Sequence, residues 1–245
     1  MCYPMISIVW QGNHRYNVCR SGQNIGFITV SNNPYHNRHS YLNLCLGQYD
    51  PTVARELFSL LRKELRQPLQ VMLYSTREMY NFLIAGGFER KRRCYEIEVS
   101  SSDLIVLLRP SVELQIIRKG SSLYAICCDL LYAYYSATHK TISPLTVPQE
   151  VFCADLPETV VCCIADKKPI HYAFIEEDET GYEIAYVGTR NPDSFSDFAQ
   201  ALVFKLFQKC DFLTMECDDT DPAAMQLINL FNTSIDESYD TYIHE

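Results

Sequence analysis

The chain has 245 residues, 47 % apolar and 21 % charged, enough for one large domain or two of about 100–150 residues. No apolar run reaches the ~18–20 residues of a membrane helix, and residues 1–10 lack a basic leader, so neither a bilayer span nor a signal peptide is expected. The net charge of −9 is uneven: residues 1–103 hold 12 Lys/Arg against 8 Asp/Glu and residues 104–245 hold 9 against 22, which disfavours nucleic acid and favours cationic partners.

In chain order, the N-terminal residues through Trp10 read as a first strand. Residues 15–20 and 25–30 read as strands joined by a turn at Ser21-Gly22, and residues 40–46 alternate as a strand should. Asp50-Pro51 is a helix start, with Val53, Leu57, Leu60, Leu61 and Leu65 following at helical spacing. A strand at 69–74, a helix at 77–85 stopped by Gly86-Gly87, and an alternating strand at 94–99 complete a first part. The second part adds an apolar helix at 123–136, then repeats the order. It has strands at 159–164 and 170–175, a charged hairpin at 176–181 and a strand at 182–187. A helix at 194–209, a strand at 212–216, a helix from Asp221-Pro222 to 230 and a closing strand at 239–243 follow.

The eleven cysteines are odd in number, and many lie inside apolar runs, as at 125–129 and 160–164. There they serve as small hydrophobes, and adjacent Cys-Cys does not give the C-x2-C spacing of a zinc site. Reduced thiols, no metal and a cytoplasmic location are the matching expectations.

Residues 186–203, YVGTRNPDSFSDFAQALV, resemble the cofactor segment of the GCN5-related N-acetyltransferase superfamily. Val187-Gly188-Thr189 and Phe198-Ala199 lie in register on either side of its loop, and residues 221–229, DPAAMQLIN, look like the family's fourth-helix motif. In the first part, residues 82–88, FLIAGGF, followed by a CYEIE strand look like the matching C-terminal segment. The resemblance implies two tandem acetyltransferase-like α/β units, 1–103 and 104–245, each a mixed, mostly antiparallel sheet flanked by helices, with a splayed strand pair. It implies acetyl-CoA as cofactor and a small amine or amino acid as acceptor.

In that frame the cofactor seat comprises Tyr186, Val187, Gly188, Thr189, Ser194, Phe195, Ser196, Asp197, Phe198 and Ala199, with Asn229 from the fourth helix. Backbone N–H groups at a helix N-terminus hold a diphosphate because they are unpaired donors at the positive end of the helix dipole. Here Phe195 and Asp197 stand where the family has glycines. A side chain at those places would obstruct close approach and the carboxylate would repel phosphate. Asp193 and Asp197 are also good capping residues, so the helix could simply cap itself. In the first part only Gln48-Tyr49-Asp50 separate Gly47 from Pro51, too short for a phosphate cradle.

The family's chemistry, amine attack on a thioester, needs a carboxylate or water as proton acceptor and often a Tyr as acid. Glu183 occupies the strand where the acceptor commonly lies, and Glu216 is a second candidate. The position of the acid Tyr holds Ile228, and Leu83 in the first part, neither of which donates a proton; Tyr182, Tyr186 and Tyr239 are the alternatives. His171 reads as a partly buried structural histidine. Two functions follow: an N-acyltransferase, or a non-catalytic protein that binds a ligand or partner in the old cleft.

Overall fold

A computed structural model describes residues 5–107, 111–177, 181–233 and 237–245. Residues 1–4 of the expected first strand and 178–180 of the expected charged hairpin lie outside these. The protein is a mixed α/β structure with twelve strands and six α-helices among the described residues, and most strand pairs are antiparallel. Two compact units emerge, and neither is one continuous segment. The first comprises Met1–Arg93, Thr141–Thr146 and Ser238–Glu245; the second comprises Cys94–Lys140 and Val147–Glu237.

In the first unit, β1 (Ile6–Trp10), β2 (Arg15–Arg20), β3 (Gln23–Ser31) and β4 (Ser40–Leu46) form an antiparallel meander. Helix α1 (Pro51–Leu65) then returns the chain to β5 (Leu69–Tyr74), which runs parallel to β4. Asp50 caps α1 by accepting from the Thr52 N–H at 2.9 Å, and Val53, Ala54, Leu57, Phe58 and Leu61 form its buried stripe. After α2 (Arg77–Ala85), the sheet is completed by the last strand of the chain, β12 (Tyr239–His244), antiparallel to β5. Residues 141–146 lie over this unit, with the Thr146 N–H donating to Tyr35 O at 2.8 Å and Ser143 Oγ 3.4 Å from Gln70 Nε2.

The second unit repeats this scheme. β7 (Gln115–Arg118), β8 (Thr159–Ala165), β9 (Lys168–Glu177) and β10 (Gly181–Thr189) form the meander, with α3 (Ser122–His139) and α4 (Gln149–Ala154) between β7 and β8. Helix α5 (Phe195–Phe207) leads to β11 (Phe212–Asp218), parallel to β10, and then to α6 (Pro222–Ile228). The sheet is completed by residues 94–100 of β6 (Glu89–Ser100), antiparallel to β11. Each unit therefore takes its last strand from the chain that follows the other unit's last helix. β7 and α4 are additions to the expected elements.

Apolar spacing decides the packing of α5. Phe195, Phe198, Ala199, Leu202, Val203 and Leu206 recur at i, i+3, i+4, i+7, i+8 and i+11, and all are buried against β9, β10 and β11. In the first unit Phe58 plays the central part, fully buried with its ring edge-on to Phe82 at 5.3 Å and to Phe88 at 4.7 Å. Removing that ring leaves a cavity its rigid neighbours cannot fill. Phe58→Ala should lower unfolding free energy by about 3–5 kcal/mol in urea titration; a loss under about 1 kcal/mol would contradict this packing.

Candidate functional site

The site begins with a bulge. β10 pairs with β9 in regular register up to Ile184 and again from Tyr186, leaving Ala185 as the extra residue. Its parallel ladder with β11 covers only Gly181–Ile184 against Phe212–Met215, although β10 runs on to Thr189 and β11 to Asp218. Past the bulge the two strands diverge, and the β11-facing edge of residues 186–189 has no strand partner among the described residues. Gly188 lies against the Tyr172 ring so closely that an added Cβ would come within 2.4 Å of it.

The loop after β10 is held from beneath by His171. This ring is 1 % exposed, with Nδ1 2.8 Å from Thr189 Oγ1 and Nε2 3.1 Å from Ser194 Oγ. Its ring centre lies 5.7 Å from that of Phe195 and 5.6 Å from that of Phe198. Burial pushes its pKa below the usual histidine value, with the nearby Asp197 carboxylate opposing, so the ring is neutral at pH 7. From outside, Gln226 Nε2 on α6 donates to Pro192 O at 3.2 Å. His171 is thus structural, as expected, but it organises the loop as well.

Two expectations about this loop need correction. Phe195 does not crowd the approach to the backbone: α5 begins there, and its helical stripe turns the ring into the core, where it is fully buried. Nor do Asp193 and Asp197 cap α5; Ser194 is the N-cap without a side-chain cap bond, and the Phe195 N–H donates to Pro192 O of the preceding turn. Phe198 and Ala199 are likewise core residues, whereas Ser196 and Asp197 face water in the first turn. Val187 packs in the core beneath α5, and Asn229 is exposed at the end of α6. The N-terminus of α1 in the first unit differs: Asp50 closes it, bonded also to Thr52 Oγ1 at 2.7 Å and to Arg20 at 2.8 Å.

The other sheet face, under α3, gathers the acid–base candidates. Glu183 and Tyr186 project there from β10, and Glu216 from β11, cross-strand from Glu96. Tyr186 lies 6.1 Å from the rings of both Tyr135 and Phe152. Its phenol pKa is raised by burial and then by Glu216, Glu183 and Asp155. Glu216 reaches water, yet its carboxyl is pushed up by the surrounding protein and then by Glu96, Glu183 and Asp218. Asp218 lies 3.5 Å from His139 Nε2, and that imidazole stacks on Tyr135 at 3.8 Å. Tyr182 faces the opposite core, and Tyr239 belongs to β12 of the first unit, packed on Tyr74.

Sequence reading missed Tyr134. Its hydroxyl donates to the Asp221 carboxylate at 2.6 Å, and the same carboxylate caps α6 by accepting from Ala223 and Ala224 N–H. Tyr134 is one of four tyrosines on α3 and carries no local signal; only the fold brings it to Asp221.

The overall fold is similar to that of known structures. The chain has the fold of the GCN5-related N-acetyltransferases. A conserved protein of unknown function from Enterococcus faecalis, described as a probable N-acyltransferase, aligns over 94 % of this chain and 61 % of its own, with TM-score 0.52 and 11 % identity. The chain thus spans about three-fifths of that protein's length. A GCN5-related N-acetyltransferase from Sphaerobacter thermophilus aligns over 96 % of this chain and 80 % of its own, at TM-score 0.49 and 10 % identity. Another, from Kribbella flavida, covers 98 % and 89 %, at 0.47 and 13 %. No family model and no curated protein matches the sequence. Among the described residues the ten cysteines are free thiols, and no His, Cys, Asp or Glu group is placed to hold a metal. No described helix is long and apolar enough to cross a membrane.

Within the acetyltransferase fold, His171 is the part whose removal is most readable. His171→Gln should lose up to two hydrogen bonds and about 1–2 kcal/mol. The native ring is held neutral, whereas an unfolded histidine titrates near pH ~6.5. Its stabilisation is therefore complete above that pH and lost as pH falls below it. The stability gap between the parent and His171→Gln should narrow between about pH 7 and 5 in urea titrations; a constant gap contradicts the assignment.

Proposed function

We propose that the second unit is an N-acyltransferase centre that takes an acyl-coenzyme A, acetyl-CoA in the simplest case, and passes the acyl group to a small amine or amino acid. The observation that carries the reading is the divergence of β10 from β11 beside an uncapped helix N-terminus, with Glu183, Glu216 and Tyr186 on the adjoining face. The residues fit such a group. Free main-chain groups of residues 186–189 suit the amides of its arm, and the first-turn N–H groups near Ser194, Ser196 and Asp197 suit its diphosphate. The bound cofactor supplies an activated thioester carbonyl.

The chain's own residues would do the rest. Glu183, exposed and least encumbered, accepts the ammonium proton of the acceptor amine, directly or through water. Glu216, Glu96 and Asp218 add a negative field that draws a cationic acceptor and is relieved when it arrives. The high-pKa phenol of Tyr186 stays protonated and can return a proton to a leaving thiolate. The first unit, whose α1 terminus is closed by Asp50, serves as scaffold.

One observation favours a weaker, binding-only role: Asp193 and Asp197 place two exposed carboxylates at the helix start that would receive a diphosphate. Neutralising one tests where the diphosphate lies. Asp197→Asn should tighten coenzyme A binding about two- to fivefold in calorimetry, the worth of one charge at a helix terminus. Unchanged or weaker affinity would place the diphosphate elsewhere. Where acyl transfer to amines is measured, Glu183→Gln should lower kcat by about 10²–10⁴; an unaltered rate would remove Glu183 from the chemistry and leave the binding role.

A further inference from the structure

Tyr172 on β9 is 1 % exposed, and its hydroxyl makes no hydrogen bond among the described residues. Two tyrosines of α3 that reach the same interior are bonded. Tyr124 donates to Pro157 O at 2.8 Å, and Tyr134 donates to Asp221 at 2.6 Å. A buried donor without an acceptor is destabilising and rare, and it persists where a partner comes from outside the fold. Phenylalanine would pack the same space without that penalty, so packing alone does not account for the oxygen.

The place of that oxygen is fixed by a glycine. Tyr172 stands opposite Gly188 in the β9–β10 ladder, and the two project from the same face. A Cβ on Gly188 would come within 2.4 Å of the ring and 2.6 Å of the hydroxyl oxygen. The phenol therefore lies over Gly188, on the stretch of β10 that has parted from β11. Burial first, then Cys127 and Asp221, raise its pKa against the opposing Arg190, so it stays protonated at neutral pH and offers an O–H donor. Asp221 is bonded instead to Tyr134 and to the Ala223 and Ala224 N–H groups.

We propose that the Tyr172 hydroxyl is a ligand-binding donor, which hydrogen-bonds a carbonyl oxygen of the acyl-coenzyme A arm where the arm passes Gly188. The inference rests on the acyl-coenzyme A reading above and adds to it a side-chain contact from β9. Main-chain groups of β10 would hold an extended arm whatever its carbonyls; a single phenol at one position reads where a carbonyl lies. Gly188 is then needed for reach, because any side chain there would push the ring off the strand.

Tyr172→Phe keeps the ring against Gly188 and removes only the oxygen. Calorimetry on the full chain compares acetyl-CoA, coenzyme A and the armless nucleotide, 3′-phosphorylated ADP. In the variant acetyl-CoA should bind about three- to tenfold more weakly, the worth of one hydrogen bond. The armless nucleotide should bind parent and variant alike. An equal loss for acetyl-CoA and coenzyme A assigns the contact to an amide carbonyl of the arm; a loss for acetyl-CoA alone assigns it to the thioester. Without ligand, the urea midpoint of the variant should be unchanged or higher, because no bond within the fold is removed. A tyrosine bonded inside the fold would lower it. Full acetyl-CoA affinity in the variant, a lowered midpoint, or an equal loss for the armless nucleotide would overturn the inference and leave the acyl-coenzyme A reading in place. Failure of the parent itself to bind acetyl-CoA would remove that reading and this inference together.

Discussion

The parting of β10 from β11 is the constraint on which the second unit is built. One extra residue, Ala185, interrupts the β9–β10 register, and the parallel ladder to β11 stops at Ile184 and Met215. A buried strand edge must have its N–H and C=O groups satisfied, so a divergence of this kind persists only where something else supplies partners. The Tyr134–Asp221 bond joins α3 to the start of α6, and the Tyr172 ring packs closely against Gly188. What remains is a strand edge leading to the start of α5, the geometry on which the proposed cofactor seat rests.

Around that gap the two sheet faces have separate duties. The α5 face is a continuous apolar core that fixes the helix, and through Phe195 and Phe198 it also encloses His171. The ring then ties Thr189 to Ser194, so loop geometry is set by core packing rather than by glycine flexibility. The α3 face collects Glu183, Glu216, Glu96 and Asp218, whose mutual repulsion is tolerated because most reach solvent. The first unit has the same strand scheme, and its β4–β5 ladder is also brief, covering only Ser40–Leu69 and Tyr41–Gln70. Its helix start, however, is occupied by a fully bonded Asp50 and by Pro51, which has no N–H to offer. The same scaffold thus has one helix start closed by a capping side chain and the other without one.

Local patterns made much of this legible. The stripe from Phe195 to Leu206, the Asp-Pro starts of α1 and α6, and the alternating strands are short-range signals, and each appears where its spacing places it. The small edge strand β7 was not legible: four residues, mostly exposed, have no alternation to read. The exchange of closing strands was hidden because pairing partners are chosen by the whole fold. At the loop, the family frame set Phe195 facing a ligand, while the helical spacing of the same residues already put it inside. His171 could be recognised as buried, but its partners lie 18 and 23 residues away and only the folded chain joins them.

The central claim is that the open edge of β10 and the uncapped start of α5 form one continuous seat. Amide chemical shifts during titration with coenzyme A test it most directly. The account predicts that Tyr186–Thr189 and Ser194–Asp197 move together with a single binding curve, while amides around Asp50 stay still. Movement confined to any other surface, or none at millimolar coenzyme A, would contradict it.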